Sequence, residues 1–125
     1  MEETFDRLSL LIQRGDRVAF VAFMEQMLEG ELRYDIDYQE PSSKNSLIHV
    51  AAQNGNKLMA KNLLRNGANI NAINGRGNSP LHFCFAYGYQ ELGEYLISLG
   101  ADDSMLNADG LSCYEGLNKE DLDQL

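Results

Sequence analysis

The strongest constraint on the fold of this 125-residue chain is an internal repeat. When the sequence is shifted by 33 residues against itself, equivalent positions match in one continuous register. The matching pairs include Ser46 with Ser79, His49 with His82, Gly55 with Gly88, Leu63 with Leu96, Gly67 with Gly100, Ala68 with Ala101, Asn74 with Asn107 and Gly77 with Gly110. A period of this length is typical of stacked units that cannot bury their apolar faces alone.

One period contains the signals of two short helices separated by a tight turn. Ser79 can cap a helix, and Pro80 occupies the first turn, where a missing N–H group is tolerated. The first apolar run ends at Gly88, and a second run with helical spacing ends at Gly100. The polar, asparagine-rich stretch 69–78 predicts a turn between units. The sequence therefore predicts stacked units of helix, turn, helix and turn.

These units resemble the ankyrin repeat. Residues 79–82 and 96–102, with Gly88 between them, are similar to the family signature of T-P-L-H, a glycine and L-L-x-x-G-A. The same pattern recurs in residues 46–52 and 63–71. The resemblance implies an all-α ankyrin-repeat solenoid of about four repeats, in which the terminal repeats are diverged caps.

The repeat divides the chain into four parts of a single domain. We expect an N-terminal capping repeat, two regular repeats and a truncated C-terminal capping repeat, in residues 1–40, 41–73, 74–106 and 107–125, respectively. Gly15 lies seven residues further from Gly55 than the period requires. We expect these additional residues in an acidic loop at 29–40.

The net charge of −9 follows the same division. Residues 1–40 carry −6, residues 41–90 carry +5 without any acidic side chain, and residues 91–125 carry −8. The overall acidity disfavours general binding to nucleic acid, which needs a basic face. No apolar run approaches the ~18 residues of a membrane span. Together with two cysteines and an acidic N-terminus, this favours an intracellular, cytoplasmic protein, with the nucleus as an alternative.

The histidines and cysteines do not follow a catalytic or metal-binding pattern. The resemblance implies that His49 and His82 are structural, buried and hydrogen-bonded to the adjoining turn. The ligand spacings of zinc sites are absent, and no set of nucleophile, base and orienting group can be assembled. We therefore expect no enzyme, cofactor, metal or small-molecule substrate. Cys84 is expected to be a small buried thiol and Cys113 to be more exposed.

The resemblance also implies a protein partner, as yet unidentified. In ankyrin repeats, turn tips and first-helix faces line a concave groove that grips other proteins, so we expect a monomeric, non-catalytic interaction module. Arg76 and Tyr87 have side chains that are enriched in interface hot spots. Phe83 is equally compatible with filling the seam between repeats. The corresponding positions are Ser43, Asn45, Gln53, Asn54, Arg76, Asn78, Phe83, Tyr87, Tyr89, Asp109 and Leu111.

Two alternatives for function remain open. The chain is also compatible with a targeting or regulatory segment of a larger enzyme or channel assembly. In addition, Lys57, Lys61 and Arg65 form a basic stripe at four-residue spacing, and the apolar residues expected on the opposite face are Leu58, Leu63 and Leu64. Such a stripe can attract acidic partners or phosphates, although rows of charge usually decorate a solvated helix.

One asparagine is a candidate modification site. Residues 63–71 resemble the sequence around ankyrin asparagines that intracellular hydroxylases modify, which indicates Asn71 as the candidate. Asn69 replaces the acidic residue of that pattern, and a plain turn asparagine is the simpler interpretation.

Overall fold

The computed structural model describes residues 1–29 and 34–116, without the side chain of Leu28. In these residues the chain forms six α-helices and no strand: α1 Glu2–Arg14, α2 Arg17–Glu29, α3 Leu47–Gln53, α4 Lys57–Arg65, α5 Pro80–Ala86 and α6 Gln90–Ser98. The predicted all-α architecture of helix pairs is confirmed. The predicted end of the C-terminal repeat, 117–125, and residues 30–33 of the predicted loop lie outside the described residues.

The helices form two layers. In the first-helix layer, α3 packs against both α1 and α5, and in the second-helix layer α2 packs against α4. Each first helix also packs against the second helix of its own unit. The core between the layers is continuous from the first unit to the third, as expected when no unit can bury its apolar face alone. Its large, fully buried side chains are Leu8, Ile12, Phe20, Met24, Leu47, Ile48, Met59, Leu63, Leu81 and Leu96.

The turn inside each helix pair has the same geometry three times. Gly15, Gly55 and Gly88 have φ angles of 68°, 63° and 82°, in the left-handed region that glycine adopts at little cost. The N–H groups of each glycine and of the next residue bond to carbonyls of the preceding helix at 2.7–3.3 Å. Because each second helix begins two residues after its glycine, this turn fixes the register of the pair.

The turns between units are joined by a hydrogen-bond pattern that also repeats. Asn74 Oδ1 accepts bonds from the N–H groups two and four residues later, and Asn107 does the same, at 2.9–3.0 Å. Their Nδ2 groups donate to the preceding turn, at Asn45 Oδ1 and Asn78 Oδ1, both at 2.9 Å. An asparagine at this position therefore closes its own turn and ties it to the previous one.

The N-terminal unit departs from the regular repeats in helix length. α1 and α2 each have 13 residues, whereas α3 has 7 and α4 has 9. Since α2 and α4 begin at the same distance from Gly15 and Gly55, α2 takes up four of the seven additional residues, 13 minus 9. The prediction that the whole insertion is a loop is therefore wrong, because much of it lengthens a helix.

The C-terminal end contains turns and no helix over residues 107–116. Cys113 is 1% exposed in this segment, so the prediction of a more exposed thiol is wrong. Its Sγ lies 3.7 Å from the carbonyl oxygen of Asp103, and burial raises the pKa of the thiol to about 11. Cys84 is fully buried, and burial raises the pKa of its thiol to about 12.

Candidate protein-interaction surface

His49 lies in the middle of the stack and joins two units. Its ring is fully buried. The backbone N–H of Ser46 donates to Nδ1 at 3.1 Å, so Nε2 carries the ring hydrogen and donates to the carbonyl oxygen of Asn78 at 2.9 Å. Burial lowers the pKa of the ring to about 4, because the charged form loses its water, although the carbonyl contact acts in the opposite direction.

His82 makes the same connections one unit later. The N–H of Ser79 donates to its Nδ1 at 3.1 Å, and its Nε2 donates to the carbonyl oxygen of Leu111 at 2.9 Å. Both histidines thus accept a hydrogen bond at Nδ1 from their own unit and donate from Nε2 to the next unit. Among residues 1–29 and 34–116, no three His, Cys, Asp or Glu side chains form a group that could hold a metal ion.

Two first helices place a row of side chains along one surface. Gln53, at the end of α3, donates from Nε2 to the hydroxyl oxygen of Tyr87 at 3.1 Å. The ring of Tyr87 lies 6.0 Å from that of Phe83, which meets the His49 ring edge-on at 5.7 Å and 82°. Gln53 and Tyr87 are partly exposed. We call Gln53 and Tyr87, with the buried ring of Phe83 beside Tyr87, the groove row; these residues lie in or directly after the first helices α3 and α5.

Two residues predicted as partner contacts lie inside the stack. Asn78 is 1% exposed: its N–H donates to Asn74 Oδ1 in its own turn, its carbonyl oxygen accepts from His49, and its Oδ1 accepts from Asn107 of the next turn. The prediction of a partner contact is therefore wrong for Asn78, because the fold uses these groups itself. Phe83 is 7% exposed and fills the seam between α3 and α5, in line with the alternative interpretation of this residue.

Two further candidates lie beside the turns that follow the first helices. The ring of Tyr89 covers Gly55 so closely that a Cβ atom there would lie 2.5 Å from it. Asn54 donates from Nδ2 to the carbonyl oxygen of Val50 at 2.8 Å and closes the end of α3. Tyr89 is exposed and Asn54 is partly exposed. Both side chains therefore contact the stack and also remain accessible to solvent.

The turn tips are joined in register along the stack. The N–H of Gly75 donates to the carbonyl oxygen of Ser43 at 3.0 Å, and the N–H of Ala108 donates to that of Arg76 at 2.9 Å. The structure thus brings the predicted tip residues of three successive turns together. Of these tip residues, Asp109 is exposed. The partly exposed ones are Ser43, Asn45, Arg76 and Leu111.

The predicted basic stripe lies on α4 of the second-helix layer. Lys57 and Arg65 are exposed, and Lys61 is partly exposed. Leu58 is 47% exposed instead of facing the core, so the prediction that it lies opposite the stripe is wrong. Met59 is the buried residue of that turn, because it lies with Ala60 and Leu63 on the side of α4 that faces the core.

An exposed apolar surface on α2 was missed by the sequence reasoning. Val18 is 79% exposed, and a shallow depression beside it is lined by Val21, Ala22 and, on α4, Leu58. A helix with apolar residues on nearly every face is usually buried. The sequence did contain a sign of this surface. The outer face of α2 lacks the charged residues that α4 and α6 carry on theirs.

Asn71 connects two units through its side chain. Its Oδ1 accepts the backbone N–H of Asp102 at 2.8 Å, and its own N–H donates to Asn69 Oδ1 at 3.0 Å. The side-chain oxygen of the candidate modification site is therefore engaged in the folded stack.

Within the part of the chain that the structure describes, no helix has the length and apolar character needed to cross a membrane.

Paired helices, left-handed glycine turns and buried histidines that bond to the next turn define a stacked-repeat protein. The chain matches the family described as ankyrin repeats, in three copies, over residues 8–107. It belongs to the ankyrin-repeat family.

The relatives that match the chain are functionally different proteins. The chain is 34% identical over 100 residues to protein phosphatase 1 regulatory subunit 27 of Mus musculus, covering 72% of this chain and 64% of that protein. It is 40% identical over 70 residues to the ADP-ribosylation factor GTPase-activating protein AGD2 of Arabidopsis thaliana, covering 56% and 9%. The palmitoyltransferase AKR1 of Lachancea kluyveri is 29% identical over 110 residues, covering 88% and 14%. The chain therefore spans less than two thirds of each relative.

Proposed function

We propose that this chain is a non-catalytic protein-interaction module that holds a partner protein between its groove row and its turn tips. The hydrogen bond from Gln53 to Tyr87 carries the proposal, since it fixes an amide and an aromatic side chain on the exposed side of two helices. Side chains that are ordered before binding lose less entropy in the complex. Tyrosine is also among the residues enriched at interface hot spots.

The partner in this proposal is an intracellular protein, and the chain acts as a monomer without cofactor or small-molecule substrate. The name of the mouse relative, a phosphatase regulatory subunit, supports a role as an adaptor or inhibitor that acts by occupying its partner. Arg76 would contribute from the tips, because its backbone is fixed by bonds to Asn74 and Ala108. The partner surface would then contact both the tips and the groove row.

A second candidate function is a targeting segment of a larger protein. This candidate is favoured by how little of two relatives the matching region covers. It covers 9% of the Arf GTPase-activating protein and 14% of the palmitoyltransferase. In such an assembly the repeats would recruit a substrate or position an enzyme, while the chemistry would belong to another part.

The test is an affinity capture from native lysate with the chain and with two double variants. Arg76→Ala/Tyr87→Ala removes one cation and one tyrosine from the proposed surface. We expect the amount of specifically captured partner to fall by about tenfold or more. The matched control Lys57→Ala/Tyr95→Ala also removes one cation and one tyrosine, but from the second-helix layer, and it should retain the captured partners. Circular dichroism checks that both variants are folded. Undiminished capture by the first variant would exclude the groove row and tips as the site.

A further inference from the structure

The outer faces of the three second helices differ in a regular way along the stack. Positions counted from the glycine of each turn are structurally equivalent, because every second helix begins at the same distance from it. Three residues after the glycine, α2 has Val18, α4 has Leu58 and α6 has Glu91, and six residues after it they have Val21, Lys61 and Glu94. The surface therefore changes from apolar on α2, through mixed on α4, to acidic on α6.

The apolar end of this surface contains a groove between α2 and α4. A cavity of about 140 Å³ has Phe20 and Met59, both fully buried, among its lining residues. Val21 and Leu58 line this cavity and also the adjoining shallow depression of about 500 Å³. The two hollows therefore adjoin at Val21 and Leu58, and the exposed side chain of Val18 lines the depression further along α2.

Positive charge surrounds this groove. Lys61 and Arg65 line the cavity on α4, and Arg17 lines the depression on α2. Glu25 is the acidic residue that lines it. The four charged lining residues therefore sum to +2, in a chain whose net charge is −9.

We propose that this α2–α4 face, formed by Val18, Val21, Ala22, Leu58, Lys61 and Arg65, docks an amphipathic helix of a partner protein with acidic residues beside its apolar stripe. A groove between two helices accepts the side-chain ridge of a third, and apolar anchors spaced at i, i+3, i+4 and i+7 fit such a groove. The cationic rim selects an acidic partner, since complementary charge supplies specificity and association rate. This face lies in the second-helix layer, and its use does not depend on the groove row.

The composition of the layer favours a protein over an anionic membrane as the occupant. A membrane surface would meet α6 together with α4, and α6 presents Glu91 and Glu94, both exposed. These carboxylates repel an extended anionic surface, whereas a single helix seated between α2 and α4 does not need to reach them.

The probe is a synthetic peptide of about 18 residues, or about five helical turns, with leucines at i, i+3, i+4 and i+7 and glutamates on both flanks. Nuclear magnetic resonance titration of the whole chain should shift amide signals of α2 and α4. A second peptide with lysine at every glutamate position should bind at least about tenfold more weakly there. Failure of the glutamate peptide to shift these signals would overturn the proposal.

Variants separate the apolar and the charged contributions. Val18→Ser/Leu58→Ser should weaken the glutamate peptide at least about tenfold, because it removes both exposed anchors and leaves the core intact. Lys61→Glu/Arg65→Glu should reverse the preference in favour of the lysine peptide. Glu91→Ser/Glu94→Ser on α6 is the control and should keep the original affinity. Equal binding by all variants, or salt-sensitive binding to phosphatidylserine vesicles without binding of the peptide, would contradict the proposal.

Discussion

The two regular repeats, 41–73 and 74–106, share one set of polar contacts. Ser46 and His49 in the first repeat form the same bonds as Ser79 and His82 in the second, at the same distances to within 0.1 Å. The asparagine turns also repeat. Polar groups in the core must be paired to be tolerated, and this requirement fixes the same residues at the same positions.

The two repeats fill the apolar space between their helices with different side chains. In the first repeat Ala52 and Ala60, both buried, occupy positions that Phe85 and Gly93 occupy in the second. A Cβ atom at Gly93 would lie 2.7 Å from the tip of the Phe85 ring. The second repeat therefore gains a ring on one helix and loses a methyl group on the other. The polar pattern is fixed, whereas volume can be exchanged within a helix pair.

The largest expected effect comes from breaking the shared histidine contact. His49→Ala removes the partner of the buried Ser46 N–H and one of the two donors to the Asn78 carbonyl oxygen, which also accepts the N–H of Asn74. It also opens a cavity. We expect it to lower the free energy of unfolding by about 3 kcal/mol. His82→Ala should lower it by about 2 kcal/mol, because its acceptor Leu111 is partly exposed to water. Denaturant titration of both variants measures the difference.

An equal loss in the two variants would contradict this view of the repeats. It would indicate that the turn at 107–116 protects its hydrogen bond as well as the central turn does.

The next effect is a dependence of stability on pH that belongs to the first repeat. The folded-state pKa of His49 is lowered to about 4, below the usual value of 6.5, so its contribution to stability is complete above pH 6.5 and is lost as the pH falls towards 4. We expect the free energy of unfolding to fall by about 2 kcal/mol between pH 7.5 and pH 5.

The matched variant is His49→Gln, which keeps hydrogen-bonding capacity but does not titrate. Its free energy of unfolding should vary less than that of the unchanged chain over the same interval, measured by urea titration at each pH. Identical curves would show that other groups, and not His49, cause the dependence.

A smaller effect tests whether the large ring of Phe85 is accommodated by the missing side chain at Gly93. Gly93→Ala should lower the free energy of unfolding by about 1 kcal/mol, because the new methyl group meets the Phe85 ring, even though alanine favours a helix. Phe85→Ala/Gly93→Ala copies the pair of the first repeat. A double-mutant cycle should therefore show that the loss caused by Gly93→Ala disappears when Phe85 is absent. A loss of the same size in both backgrounds would exclude this contact as its cause.

The regular repeats could be predicted from the sequence because their signals are local. Left-handed turns require residues such as Gly55, and a capped helix start requires a residue such as Ser79, so periodic spacing reveals both. The length of α2 could not be predicted in the same way. The apolar pattern of residues 17–29 does not show where a helix ends, and no glycine or proline stops it before Glu29.

The candidate surface was predicted less completely than the fold, for a physical reason. Periodicity assigns residues to a helix face but leaves an uncertainty of one residue in rotation, which reverses Leu58 and Met59. Their positions in the motif predict Asn78 and Phe83 at the surface, but Asn78 contacts the next unit, Phe83 contacts the preceding one, and both are buried. Such contacts join residues 29 to 34 positions apart, so sequence windows cannot detect them.

The smallest expected effect concerns a contact that the first repeat makes with the second. Lys57 Nζ lies 4.5 Å from the centroid of the Tyr95 ring on α6, a geometry that favours a cation–π interaction. Lys57→Gln copies the residue that α6 has at the equivalent position, Gln90. We expect it to lower the free energy of unfolding by about 0.5 kcal/mol, and a cycle with Tyr95→Leu should give a coupling of similar size. If the coupling is zero, the charge of Lys57 does not stabilise the stack, and its position on α4 serves only the solvated surface or a partner.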